Sequence, residues 1–204
     1  MPKIDLSIIN KYISYNEYQA QFRKQVLADD PILLSDAEKQ YFEYRKLNLQ
    51  RSLRVEKTFV PSEETRNIFA SISAEQSWFV ITESWCGDSS QSLPVIASLA
   101  NLSEKIELKI VLRDSNPDFM NLYLTNGSKS IPKLVVFDKE GSELFQWGPR
   151  PKAAQDLFTL LKNEGLEKSE INKDLHLWYA RNRGIEVEKE ITELVSNTFL
   201  VFES

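Results

Sequence analysis

The sequence predicts an α/β fold with an α-helical N-terminal extension and C-terminal helices, and three observations predict it. Residues up to about 75 carry only helical periodicity; from Trp78 onward short apolar runs alternate with helical segments; and residues 133–147 hold two apolar runs joined through Gly141. Strands alternating with helices imply βαβ units, and a glycine-containing turn between two strands implies an antiparallel hairpin. The expected organisation is a helical extension over 1–75 packed on a core over 76–165, followed by helices over 166–204.

In chain order, Ile8, Tyr12, Tyr15, Phe22 and Val26 recur at gaps of three and four with Gln19 interrupting, which predicts one amphipathic helix from about Ser7 to Leu27. Pro31 closes the connection. Ser35-Asp36-Ala37-Glu38 is a capping-box pattern opening a charged helix to about Leu53, with Phe42, Leu47, Leu49 and Leu53 as its expected buried contacts. A third helix is expected to start near Pro61, whose missing N–H costs nothing in a first turn, with Ile68, Phe69 and Ile72 on its apolar face.

Trp78-Phe79-Val80-Ile81-Thr82 is a continuous apolar run suited to a central strand buried on both faces. It leads to a helix from Gly87 to about Leu102, interrupted by Pro94, then to a strand over Ile106–Leu112 and a short helix over Pro117–Leu124. The hairpin pairs 133–137 with 142–147. Beyond Gly148-Pro149-Arg150-Pro151 come a helix carrying Ala154, Leu157, Phe158 and Leu161, one carrying Ile171, Leu175 and Trp178 to a stop at Gly184, and a last one with Val187, Ile191, Leu194 and Val195.

Composition narrows the function. With 25 Lys and Arg against 30 Asp and Glu, the net charge of -5 offers no general attraction to nucleic acid or to an anionic membrane. No apolar run approaches the roughly 20 residues that span a bilayer, and Asp5, Asn10 and Lys11 interrupt any secretory h-region, so a cytoplasmic location is expected. The single cysteine forbids an intramolecular disulfide, and the single histidine argues against a His/Cys metal cluster. No metal, cofactor, nucleic-acid or membrane partner is expected.

All thiol chemistry therefore falls on Cys86, inside Ser84-Trp85-Cys86-Gly87-Asp88-Ser89-Ser90. The stretch Trp85 to Ser89 resembles the Trp-Cys-Gly-Pro-Cys signature of the thioredoxin superfamily, with Asp88 at the proline position and Ser89 at that of the second cysteine. Pro94 lies eight residues after the cysteine, as in typical thioredoxins, and Ile131-Pro132 opens the hairpin where that family places its cis-proline. The resemblance implies a thioredoxin-like fold, a central mixed sheet flanked by helices. The extension and tail resemble those of bacterial thioredoxin-like proteins bearing Cys-Gly-Asp.

A cysteine at a helix start faces free backbone N–H groups and the positive end of the helix dipole, both favouring thiolate. Ser89 adds a hydroxyl donor, while the Asp88 carboxylate pushes the other way; a moderate lowering of the thiol pKa is expected. The resemblance implies a groove in which Trp85, Gly87, Asp88, Ile131 and Pro132 bind substrate, Ile131 by backbone pairing with an extended chain. Cys86 and Ser89 are the expected catalytic residues. Val80 stands where many thioredoxins carry a buried Asp, and Glu83 is expected to be a solvated strand-end carboxylate. His176 reads as a packing or surface residue, Arg113-Asp114 as a surface ion pair, and Trp147 and Gly148-Pro149 equally as groove-lining or packing residues.

A Cys-X-X-Ser site stops at a mixed disulfide until another thiol attacks it. The sequence thus points to a monothiol thiol–disulfide oxidoreductase acting through Cys86, with protein disulfides or a low-molecular-weight thiol as partners. The alternative is a redox-inactive adaptor using the same groove. An iron–sulfur cluster shared across a dimer, as monothiol glutaredoxins with Cys-Gly-Phe-Ser hold with glutathione, is poorly matched: Asp88 replaces the Phe and no glutathione pocket is recognisable.

Overall fold

The structure, a computed structural model, describes residues 3–28 and 35–202. Its centre is a four-stranded mixed sheet in the order β2-β1-β3-β4, formed by β1 (Gln76–Thr82), β2 (Ile106–Leu112), β3 (Lys133–Asp138) and β4 (Glu143–Trp147). β1 runs parallel to β2 and antiparallel to β3, and β3 pairs antiparallel with β4 through a register shift between Val136 and Phe137. The helices are α1 (Tyr15–Ala28), α2 (Asp36–Thr58), α3 (Glu63–Ala70), α4 (Gly87–Ala100), α5 (Pro117–Leu122), α6 (Lys152–Asn163), α7 (Lys168–Asn182) and α8 (Ile185–Phe202).

Period-two alternation divides the central strands between two layers. Trp78, Val80, Ile110, Leu134 and Val136 face the larger core, where they meet Leu93, Ile96 and Leu99 of α4, Val187 and Ile191 of α8, and Phe22, Val55 and Phe69 of the first three helices. Phe79, Ile81, Val111, Val135 and Phe137 face the other way onto Phe119, Met120 and Tyr123. Burial on both faces is why β1 reads as an unbroken apolar run.

The first expected helix divides in two. Leu6–Ile8 is a single 3-10 turn, and Ile13 exchanges backbone hydrogen bonds of 2.9 and 2.8 Å with Ile110, covering the outer edge of β2. α1 starts only at Tyr15 because Ser14 and Glu17 cap it reciprocally, the Ser14 N–H donating to Oε2 at 2.8 Å and the Glu17 N–H to Oγ at 3.2 Å. Gln19 is buried within the stripe it appeared to break, donating to Tyr15 Oη and Ser52 Oγ.

Ser35 and Glu38 form the expected capping box, while α2 runs on to Thr58. Its buried residues are Phe42, Asn48, Ser52 and Val55; Leu49 and Leu53 are half-buried, and Leu47 is exposed. Asn48 takes the inward place because its Nδ2 donates to the Ser84 carbonyl at 3.2 Å. α3 opens at Glu63 because Ser62 is its cap, accepting from the Thr65 N–H. Pro31 lies outside the described residues. The remaining elements follow the sequence-based expectation to within a few residues.

Candidate active site

β1 ends at Thr82, and the Cys86 N–H closes a turn onto the Glu83 carbonyl at 3.1 Å, which sets Cys86 at the N-cap of α4. The thiol is buried and donates to the Ile131 carbonyl at 3.2 Å; the Ile131–Pro132 bond is cis. Ile131 and Pro132 are both buried. Burial, and then the Asp88 charge, push the Cys86 thiol up to about 11, against the Ser89 hydroxyl and the Ser89 and Asp88 backbone N–H groups, which favour thiolate. The expected lowering is therefore reversed: the helix-start donors are present, but desolvation outweighs them.

Ser89 is buried, and its Oγ makes no hydrogen bond while the thiol points at Ile131. Asp88 is 8% exposed and held from two sides. Arg150 Nε donates to Oδ1 at 2.9 Å and Nη2 meets Oδ2 at 2.7 Å, while Tyr179 Oη donates to Oδ1 at 3.0 Å. Burial raises the Asp88 carboxyl and Arg150 draws it back; Arg150, lowered by burial, ends above its ordinary value through the Asp88 charge. The two-pronged contact is that of an ion pair. Arg150 also lies over the Phe158 ring at 4.4 Å, so α6 and α7 both brace the motif.

On the opposite side α2 supplies Arg51 and Arg54. Arg54 Nη2 donates to Gln91 Oε1 at 3.0 Å, which leaves Gln91 Nε2 to donate to His176 Nδ1 at 3.3 Å. This assignment puts the imidazole proton on Nε2. That nitrogen abuts Gly87: a Cβ there would stand 2.7 Å from it. Burial, then the charges of Arg51, Arg54 and Arg150, hold His176 down at about 3, so it is neutral at physiological pH. Burial and the neighbouring Arg54 lower Arg51 to about 10.

Trp85 forms the outer wall. The Arg113 guanidinium lies 4.6 Å from its ring centre and Tyr41 meets it edge-on at 6.2 Å. Arg113 makes the expected ion pair with Asp114, at 2.7 Å, and so reaches the site as well. Glu83 is half-buried rather than solvated: its Oε1 accepts from the Asp114 N–H at 2.9 Å, and burial raises its carboxyl.

A cavity of about 650 Å³ opens onto the motif between α2 and α7, with Trp85, Cys86, Gly87 and Asp88 on its floor and wall. A larger depression of about 1230 Å³ along β4, α6 and α8 takes in Trp147, Gly148 and Pro149 and does not reach Cys86. A thioredoxin family model matches residues 35–164. The chain belongs to the thioredoxin family. The matched span takes in α2 and α3 as well as the sheet. No curated protein matches the sequence. Among solved structures, a protein of unknown function from Pseudomonas aeruginosa shares the fold with a TM-score of 0.60 at 16% identity, over 97% of this chain and 99% of that one. An HIV epitope-scaffold matches with a TM-score of 0.52 at 20% identity, over 91% and 99%.

In this thioredoxin-family chain the structure brings Trp85, Cys86, Gly87, Asp88, Ser89, Ile131 and Pro132 together, but only the first four face the cavity. Sequence reasoning missed Arg51, Arg150, His176 and Tyr179. The available signal was helical spacing: Asn48 and Arg51 are three apart on α2, and Asn172 and His176 four apart on α7, forming polar stripes on the faces that line the cavity over the motif. Among the described residues no group of three or more His, Cys, Asp or Glu side chains is placed to hold a metal, and no helix is long and apolar enough to cross a membrane.

Proposed function

We propose that this thioredoxin-family protein exchanges thiols and disulfides through Cys86 and relies on an external thiol to finish each cycle. The observation that carries this reading is the placement of the chain's one sulfhydryl at the N-cap of α4, on the floor of a cavity open to solutes. Cys86 Sγ attacks one sulfur of a disulfide R–S–S–R; the S–S bond breaks, a Cys86–S–S–R bond forms, and the departing RS⁻ takes the thiol proton. A low-molecular-weight thiol R′SH then attacks the mixed disulfide, releasing R–S–S–R′ and restoring Cys86. Ser89 cannot form a disulfide, so no internal route competes.

With the thiol near 11, the thiolate fraction at pH 7 is about one in ten thousand. Exchange is then slow in the free protein and accelerates when ionisation recruits the Ser89 hydroxyl and the two backbone donors. Incubation with a small disulfide should give a mixed disulfide visible by intact mass, absent in Cys86→Ser and released by added thiol. Failure to form that adduct at pH 9, where thiolate is a hundred times more abundant than at pH 7, sinks the reading.

The second reading, a binding module of the cytoplasm that performs no redox step, draws support from the same buried, protonated thiol and from the helices that stand over it. It predicts that Cys86→Ser retains every binding activity of the chain.

A further inference from the structure

The cavity over Cys86 has a chemical character unlike that of the protein around it. Although the chain is acidic overall, the side chains lining this space include Arg51, Lys168 and Lys173, and one acid, Asp88, which Arg150 already pairs. Among the described residues no carboxylate pairs with any of those three cations. Arg51 is half-buried, and its one hydrogen bond is to the neutral Asn48 Oδ1 at 2.8 Å. The carboxylate charge that bears on it is that of Asp88, which Arg150 already grips, so this partly desolvated guanidinium keeps capacity for a further anion. His176 adds a neutral donor, its Nε2–H at the cavity floor beside Gly87.

The rest of the lining is apolar and aromatic. Tyr41 is 48% exposed, Tyr44 39% and Leu47 44%, all on α2, and Trp85, which Tyr41 meets edge-on, lines the same cavity. Such residues suit a flat or aliphatic body. The volume of about 650 Å³ falls within the roughly 300–1,000 Å³ usual for small-molecule sites. A polypeptide substrate, by contrast, meets a backbone carbonyl already engaged: the Ile131 carbonyl accepts the thiol, and Ile131 and Pro132 are buried and do not line the cavity.

We infer that this cavity takes a small carboxylate-bearing thiol or disulfide with an apolar body, its anion set among Arg51, Lys168, Lys173 and His176 Nε2–H and its sulfur directed at Cys86, in preference to a protein disulfide. The anion site stands by itself; delivery of sulfur to Cys86 rests on the exchange reading above.

Two measurements separate them. In the first, the rates of Cys86 with the dianionic aromatic disulfide dithiobis(nitrobenzoate) and with the neutral dithiodipyridine are each divided by the rates with free cysteine. The anionic reagent should be favoured about tenfold, and Lys168→Glu with Lys173→Glu should remove that preference without slowing the neutral reagent. Both lysines are exposed, so the fold has no stake in them. Equal relative rates, an equal effect of the double substitution on both reagents, or faster exchange with the disulfides of insulin overturns the inference. In the second, nitrobenzoate, which has no sulfur, is titrated into Cys86→Ser while Trp fluorescence is followed. Saturable binding lost on charge reversal supports the anion site even if Cys86 exchanges with nothing, in which case only the exchange reading falls. Absence of saturable binding overturns the site.

Discussion

Arg150 grips Asp88 through two nitrogens, at 2.9 Å from Oδ1 and 2.7 Å from Oδ2, and the carboxylate so held lies two residues from the Cys86 thiol. The pair has two consequences of opposite sign. It fixes the first turn of α4 to the loop before α6, and it sets a negative charge beside a sulfur that would have to become negative to react.

Asp88→Asn separates these effects. Burial remains, but the charge that helps hold the thiol up is gone and Arg150 is left as an unpaired cation nearby. The thiol pKa should fall, and alkylation at pH 7 should rise about tenfold for each unit of that fall. Stability should drop by about 3 kcal/mol, since one partner of a buried pair is lost. Iodoacetamide kinetics and urea denaturation of the same preparation test both; a slower thiol or an unchanged urea midpoint contradicts the assignment.

Ser89→Ala should act on the thiolate alone. In the thiol form Ser89 Oγ has no hydrogen bond, so its removal orphans no partner and the urea midpoint should shift by less than about 1 kcal/mol. On ionisation the lost hydroxyl should be felt. The wild-type alkylation rate should climb about tenfold per pH unit without levelling near the ordinary 8.5, and Ser89→Ala should be slower at every pH below the plateau. A wild-type plateau near pH 8.5 would show that the thiol is not held in its buried, Ile131-bonded position.

Much of this architecture is legible in the chain because it rests on local patterns. β1 is apolar throughout, being covered on both faces; Gly141 adopts a left-handed φ of 79° in the hairpin turn; and Ser35 with Glu38 announces α2. The division of the first helix is hidden because Ile8, Tyr12 and Tyr15 keep helical spacing straight through the break, while Ile13, outside that stripe, is drawn to the sheet by its partner Ile110, ninety-seven positions away (110 minus 13). The site is hidden for the same reason. Asp88 is bound to residues 62 and 91 positions distant, and spacing along one helix says nothing of which neighbour will face it. The raised thiol follows from that enclosure, whereas a helix start judged alone argues only for a lowered one.

Gly87→Ala tests how closely α7 is seated on the motif. The added Cβ would stand 2.7 Å from His176 Nε2 and 2.8 Å from Cε1, inside any normal contact. Alanine otherwise suits a first helical turn, so the cost should come from the imidazole and from its Gln91 hydrogen bond, about 1–3 kcal/mol for an overpacked site. Combining Gly87→Ala with His176→Ala should recover most of the loss beyond that of His176→Ala alone. Additive losses in a denaturation double-mutant cycle would mean that the two residues do not touch.

His176 should also write a signature into the pH dependence of stability. In the folded protein burial and three arginines hold it at about 3, against 6.5 for an ordinary histidine. The unfolded chain therefore binds a proton between those values that the folded chain refuses, so stability is complete above about pH 6.5 and declines as pH falls toward 3. Between pH 7.5 and 5 the loss from this group should be about 2 kcal/mol. Glu83, raised by burial, acts in the opposite sense, because the folded state holds its proton more tightly than the unfolded. That contribution is common to wild type and His176→Gln, so the difference between their urea midpoints isolates the imidazole. His176→Gln should flatten the decline over this range; curves that run parallel from pH 7.5 to 5 would mean that the imidazole can take up a proton in place, and that the arginines of α2 do not enclose it.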